Sequence, residues 1–202
     1  MHKHRRLALA TATAAALTGG LLTFAASPAT AADSVKVAKA DFNGDGIGDV
    51  ATSAAGAYVN GRKDAGQIVV LYGTSTGVSS AKRTVISQDT TGVAGTAEIG
   101  DGFGRETAYG DFNNDGYDDL AVGSPFEKVG TDTNGGDLVI LYGSKSGLTG
   151  KSAHLVDPAV SSHDYWGKDL DAGDFDGDGK TDLVVGSSSA TLTLASLTRS
   201  TG

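Results

Sequence analysis

The chain has 202 residues, of which 30 are glycine and 3 proline, with 6% aromatic residues and no cysteine. That glycine content is about twice the usual ~7%. The missing cysteine excludes disulfides, thiolate metal sites and a lipid-bearing cysteine anchor. Twenty-four acids face 16 basic residues, a net charge of −8, which argues against nucleic acid as a partner.

Met1 to Ala31 has the three parts of a secretory signal peptide. His2-Lys3-His4-Arg5-Arg6 is the positive start, Leu7 to Ala26 the apolar stretch, and Ala29-Thr30-Ala31 a small-residue cleavage site. The Arg5-Arg6 pair lacks the surroundings of a twin-arginine signal. Three basic residues and no acid leave with the leader, so the mature chain is more acidic still. No second apolar run is long enough to span a bilayer. The expectation is a secreted, extracellular product with no membrane span once the leader is removed, and the alanine-rich leader points to a bacterial one.

From residue 32 onward one loop recurs three times: Asp41–Asp49 (DFNGDGIGD), Asp111–Asp119 (DFNNDGYDD) and Asp174–Asp182 (DFDGDGKTD). Each carries an acid or amide at positions 1, 3, 5 and 9 and glycine at position 6. Oxygen donors on alternate residues of a tight loop suit a hard cation such as Ca²⁺. Gly46, Gly116 and Gly179 allow the sharp turn. Position 7 varies freely (Ile47, Tyr117, Lys180), as expected if only its carbonyl reaches the metal, with the Lys180 side chain pointing outward. An EF-hand would need a carboxylate at position 12 and a following helix. Position 12 here is Thr52, Val122 or Val185, and each loop runs into a β-branched stretch that reads as a strand.

The parts of the unit keep their order. After its loop, the first repeat reaches Gly66-Gln67-Ile68-Val69-Val70-Leu71-Tyr72-Gly73, and the second Gly136-Asp137-Leu138-Val139-Ile140-Leu141-Tyr142-Gly143. A turn and a closing strand follow, Arg83–Ser87 and Ala153–Asp157. Four short strands at this period describe a propeller blade: one entering the loop, one leaving it, the Leu-Tyr-Gly strand and the closing strand.

Phe103-Gly104 ahead of Asp111 and Trp166-Gly167 ahead of Asp174 add a further signature. With Gly110-Asp111-Phe112-Asn113-Asn114-Asp115-Gly116, Leu120-Ala121-Val122-Gly123-Ser124-Pro125 and the Leu-Tyr-Gly strand, the chain resembles the FG-GAP repeat of integrin α-subunits and secreted bacterial proteins. The resemblance implies an all-β chain of propeller blades with four antiparallel strands each, and Ca²⁺ between the first two strands of a blade. It implies the ligands Asp41, Asn43, Asp45 and Asp49; Asp111, Asn113, Asp115 and Asp119; and Asp174, Asp176, Asp178 and Asp182, with the carbonyls of Ile47, Tyr117 and Lys180. Repeats are expected at about 35–100, 101–163 and 164–202, which is two blades and part of a third. Asp33-Ser34 stands where Phe-Gly is expected, Ser187-Ser188 where Ser-Pro is expected, and residues 189–202 depart from the pattern. Trp166 is expected to pack between blades as Phe103 does, and Glu106, Asp169 and Asp171 to lie on innermost strands.

Other motifs carry no chemistry. Gly73-Thr74-Ser75-Thr76-Gly77 matches the G-x-S-x-G of serine hydrolases, but the second repeat places Lys145 in the nucleophile's position, so the segment reads as a turn. Ser79-Ser80-Ala81-Lys82 lacks companion motifs, and Gly150-Lys151-Ser152 lacks the upstream glycine of a phosphate loop. His154 and His163 have no partner at zinc-ligand spacing. No enzyme is expected. The reading is a binding or adhesion module for a protein or glycan ligand; the alternatives are the ancillary propeller of a secreted hydrolase, or a remnant without activity. Unpaired blade edges predict self-association.

Overall fold

A computed structural model describes residues 39–157 and 164–188, and the backbone of 193–195. The expected leader at residues 1–31, Asp33-Ser34, His163 and most of the C-terminal stretch lie outside these residues. Every described element is a strand. They are β1 (Val50–Ala54), β2 (Gln67–Leu71), β3 (Arg83–Ile86), β4 (Glu106–Gly110), β5 (Asp119–Ser124), β6 (Asp137–Leu141), β7 (Ser152–Leu155), β8 (Asp169–Gly173), β9 (Asp182–Gly186) and β10 (Thr193–Ala195).

These strands form three antiparallel meanders, β1-β2-β3, β4-β5-β6-β7 and β8-β9-β10. The middle sheet is a whole blade in the expected order. In the first, Ala40 bridges Asp49 where the entering strand meets β1. In the third, β10 pairs with β9 at the place of the Leu-Tyr-Gly strand, although its residues depart from the pattern. Among the described residues the blades do not close into a ring.

Alternation along each strand gives a blade two apolar faces. Ile68, Val70 and Ile86 on one face of blade 1 pack with Leu120, Val122, Val139 and Leu141 of blade 2. The other face of blade 2, with Ala121, Leu138 and Ile140, packs with Leu183 and Val185 of blade 3. Phe103 and Trp166 take equivalent places in these two layers, as expected of blade-packing counterparts. Each lies across a glycine at positive φ, Gly66 (+87°) or Gly136 (+80°). A Cβ there would collide with the Phe103 or Trp166 backbone, so both the dihedral and the close approach require glycine.

The hydrolase-like segment is a turn, with Thr74 and Gly77 exchanging backbone hydrogen bonds; Ser144 and Gly147 close the equivalent turn of blade 2. Glu106, Asp169 and Asp171 lie exposed on the edge strands β4 and β8. His154 sits on β7 and pairs with Asp137 of β6.

Candidate metal centres

The three loops fold alike because their side chains cap their own backbone. Asp41 accepts from Asp45 N at 3.1 Å and Gly46 N at 2.8 Å. Asp111 accepts from Asp115 N at 3.0 Å and Gly116 N at 2.9 Å, and Asp174 from Gly177 N at 2.8 Å and Gly179 N at 3.0 Å. At position 5, Asp45, Asp115 and Asp178 each accept from the N–H of position 7, at 2.8, 3.1 and 2.9 Å. These are Asx turns, and they set alternate oxygens around the loop.

Position 9 has a second role that spacing alone does not reveal. Asp49 accepts from Phe42 N at 3.0 Å and from Gly73 N at 2.8 Å. Asp119 repeats this with Phe112 N at 3.2 Å and Gly143 N at 2.9 Å. Asp182 accepts from Phe175 N at 3.1 Å. This aspartate therefore ties the start of its loop to β1, β5 or β9 and, in the first two blades, to the glycine after the Leu-Tyr-Gly strand. The pKa of Asp119 is raised to about 7, mainly by burial and also by Asp115 and Asp111, against its backbone hydrogen bonds to Gly143 and Phe112. Burial also raises that of Asp49, with Asp41 and Asp45 contributing.

The loops differ at position 3 and in what surrounds them. Asn43 Oδ1 accepts from Asp45 N at 2.9 Å, and Asp176 Oδ1 from Asp178 N at 3.0 Å. Asn113 Oδ1 is buried with no hydrogen-bond partner, the state of a donor oxygen that a cation would satisfy. In loop 3, Asp174, Asp176 and Asp182 bring carboxylate oxygens within 4.8 Å of one another. Lys180 does not point outward as expected. Its Nζ donates to Asp178 Oδ2 at 2.6 Å, which lowers the Asp178 pKa and commits that carboxylate to an internal ion pair. The donor types suit a hard cation in all three loops, but among the described residues only loop 3 draws three carboxylates this close; Asp41, Asp45 and Asp49, and Asp111, Asp115 and Asp119, are not brought together in this way.

Two features beyond the expected ligands couple the loops. Asp118, at position 8, accepts from Asp41 N at 2.8 Å, and Asp118 N donates to Asp41 O at 3.1 Å. Burial raises its pKa, and Asp41 and Asp111 add to the rise. The Tyr117 ring covers Gly44, where a Cβ would come within 2.7 Å. Loops 1 and 2 are thus one clamped pair. The sequence signal was an acid at position 8 in the second repeat alone.

Comparisons with known proteins agree with this architecture. The FG-GAP repeat matches residues 35–71, 103–141 and 166–200. The third match extends over the stretch whose residues depart from the pattern. The chain is 34% identical over 151 residues to phosphatidylinositol-glycan-specific phospholipase D of Rattus norvegicus, covering 75% of this chain and 18% of that protein. It is 31% identical over 156 residues to integrin alpha-PS5 of Drosophila melanogaster, covering 74% and 14%, and 30% identical over 160 residues to integrin alpha-6 of Gallus gallus, covering 78% and 14%. The chain spans less than a fifth of the length of these relatives. With three matched repeats and blades of the expected order, the chain belongs to the FG-GAP repeat family.

Proposed function

We propose that this is a secreted, Ca²⁺-stabilised β-propeller segment that serves as a non-catalytic binding or adhesion module for a protein or glycan. The observation that carries the reading is the recurrence of the Asx-turn loop at the same place in three successive blades, with the Asn113 oxygen unsatisfied in the second. Export rests on the leader at residues 1–31. Among the described residues no helix is long and apolar enough to cross a membrane.

Ca²⁺ bound to the native loops stabilises by mass action, about 1.4 kcal/mol per site at tenfold excess over Kd. Extracellular modules bind at roughly 10⁻⁴ to 10⁻³ M. Thermal unfolding of the mature chain across that range of Ca²⁺ should show a rising midpoint that a chelator reverses. A midpoint indifferent to Ca²⁺ removes the metal from the reading.

A second reading is the ancillary propeller of a larger hydrolase, which the similarity to a phospholipase D over 18% of that enzyme favours. An adjoining catalytic region in the same polypeptide would decide for it. Under either reading the face of blade 1 that no other described residue covers drives self-association, measurable by light scattering at millimolar Ca²⁺; a monodisperse monomer at every concentration would count against it.

A further inference from the structure

Where the first two blades meet, a groove of about 310 Å³ is lined by Lys82 and Arg83 of blade 1 and Lys145 of blade 2, with Asn43, Tyr72 and Ser146 among them. Its floor is fixed by bonds that cross the seam. Tyr72 is buried; its hydroxyl accepts from Leu148 N at 2.9 Å and lies 3.2 Å from Thr84 Oγ1. Gly147 packs so closely on that ring that no Cβ fits. The cations stand on equally fixed backbone. Lys82 O accepts from Tyr72 N at 3.0 Å, and Arg83 pairs with Leu71 in the ladder. Lys145 sits in the turn that Gly147 N closes on Ser144 O.

Four other cations of the chain are each matched to an acid. Arg62 pairs with Asp89, Lys63 with Asp64, Lys168 with Asp169 and Lys180 with Asp178. Among the described residues no carboxylate pairs with Lys82, Arg83 or Lys145. The second blade shows the contrast at the equivalent position: Lys151 Nζ lies 5.5 Å from the Tyr142 ring centre, over its own tyrosine. In blade 1 the tyrosine is drawn under the neighbouring blade, which leaves Lys82 free to face the groove. Three uncompensated cations at one seam run against a net charge of −8.

We propose that this groove is an oxyanion site that takes a sulfate or phosphate group, free or as an ester on a glycan. Arg83 offers a planar fork for two oxygens, and Lys82 and Lys145 add point charges. Ser146 and Asn43 supply neutral donors. The assignment rests on the binding-module reading only for the source of the group.

The test is calorimetry on the mature chain at millimolar Ca²⁺ with inorganic sulfate, inorganic phosphate, an O-sulfated polysaccharide and its desulfated form. An acidic protein repels polyanions in general, so saturable binding points to a local site. Arg83→Ala and Lys145→Ala should each weaken binding about tenfold, the loss of one charge-assisted hydrogen bond. Both side chains are exposed, so the melting midpoint should not move. Lys63→Ala and Lys128→Ala should bind as the parent does. Binding of inorganic anions without the polysaccharide keeps the groove and removes a glycan as its source. Absence of binding to every probe, or equal losses in the Lys63 and Lys128 variants, overturns the proposal.

Discussion

Blades 1 and 2 share one repeat and differ in their neighbours. Every residue of β5 and β6 in blade 2 is buried, whereas β1 and β2 of blade 1 carry exposed and half-exposed positions on the corresponding strands. Val122 is fully buried where blade 1 has Thr52, and Val50, equivalent to the buried Leu120, is 44% exposed. The difference lies in the stack rather than in the strand. A blade's apolar face becomes core only where another blade covers it, so stability here is largely nearest-neighbour stability. Among the described residues nothing covers the corresponding face of blade 1.

Substituting matched leucines would break or sharpen that contrast most. Leu141→Ala should cost about 2–5 kcal/mol, as deletion of a fully buried leucine does, while Leu71→Ala at the same register should cost less than about 1 kcal/mol. Denaturant unfolding compares them. Equal costs would mean that blade 1 is covered in solution, and a Leu71→Ala cost that grows with protein concentration would identify a second copy as the cover.

The position-9 aspartates come next. Asp119→Ala strands two buried backbone donors, Phe112 N and Gly143 N, for about 2–3 kcal/mol. Asp182→Ala strands Phe175 N and should cost about half as much. Chemical denaturation of both variants in a chelator, so that no metal contributes, checks the ratio. A position 9 that served only as a metal ligand would give no loss there.

Blade 2 also bears a cost of burial. Glu127, at the place of Ala57 in blade 1, accepts from Gln88 Nε2 at 2.8 Å; its pKa is raised from 4.5 to about 7, mainly by burial and also by the nearby Asp101, Asp137 and Glu98, against the Gln88 hydrogen bond. Between those values the folded chain keeps a proton that the unfolded chain has released. Stability therefore falls as pH rises through that window, and the penalty is complete above about pH 7. Glu127→Gln should flatten this slope. At pH 8 it should raise the midpoint by about 2–4 °C, a gain near 1 kcal/mol once solvent screening at this partly exposed group is allowed for. An unchanged slope would show that the carboxyl is better solvated than its surroundings indicate.

The smallest effect separates loop 3 from its counterparts. Lys180→Ala frees Asp178 from its ion pair and should tighten Ca²⁺ binding there several-fold, since ligand charge tunes affinity. Tyr117→Ala at the same position of loop 2 should not tighten its site. Calorimetric titration of the two variants measures both, and a weakened loop 3 would refute the competition.

The repeat made most of the fold legible in the sequence. Loop, Leu-Tyr-Gly strand and closing strand recur in order because each blade solves the same packing problem, and Phe103 and Trp166 could be matched because both end up between blades. What stayed illegible is what depends on neighbours in space. Asp119 reads as a ligand in the sequence, yet its two oxygens hold backbone from two places far apart in the chain. Asp118 and Tyr117 look like free loop positions until loop 1 lies against them. Lys180 was expected to point outward because the spacing does not reveal that its stem can fold back on Asp178. β10 is not legible because its residues depart from the family pattern while its backbone still pairs with β9.

The central claim is that the three Asx-turn loops are cation sites, and counting them tests it most directly. Isothermal titration of Ca²⁺ into the chelator-stripped mature chain should show saturable binding, with the total stoichiometry lowered by one in each of Asp45→Ala, Asp115→Ala and Asp178→Ala. Three sites, lost one at a time, is the predicted result. No binding heat at millimolar Ca²⁺, or a stoichiometry that none of the three substitutions changes, would contradict the account.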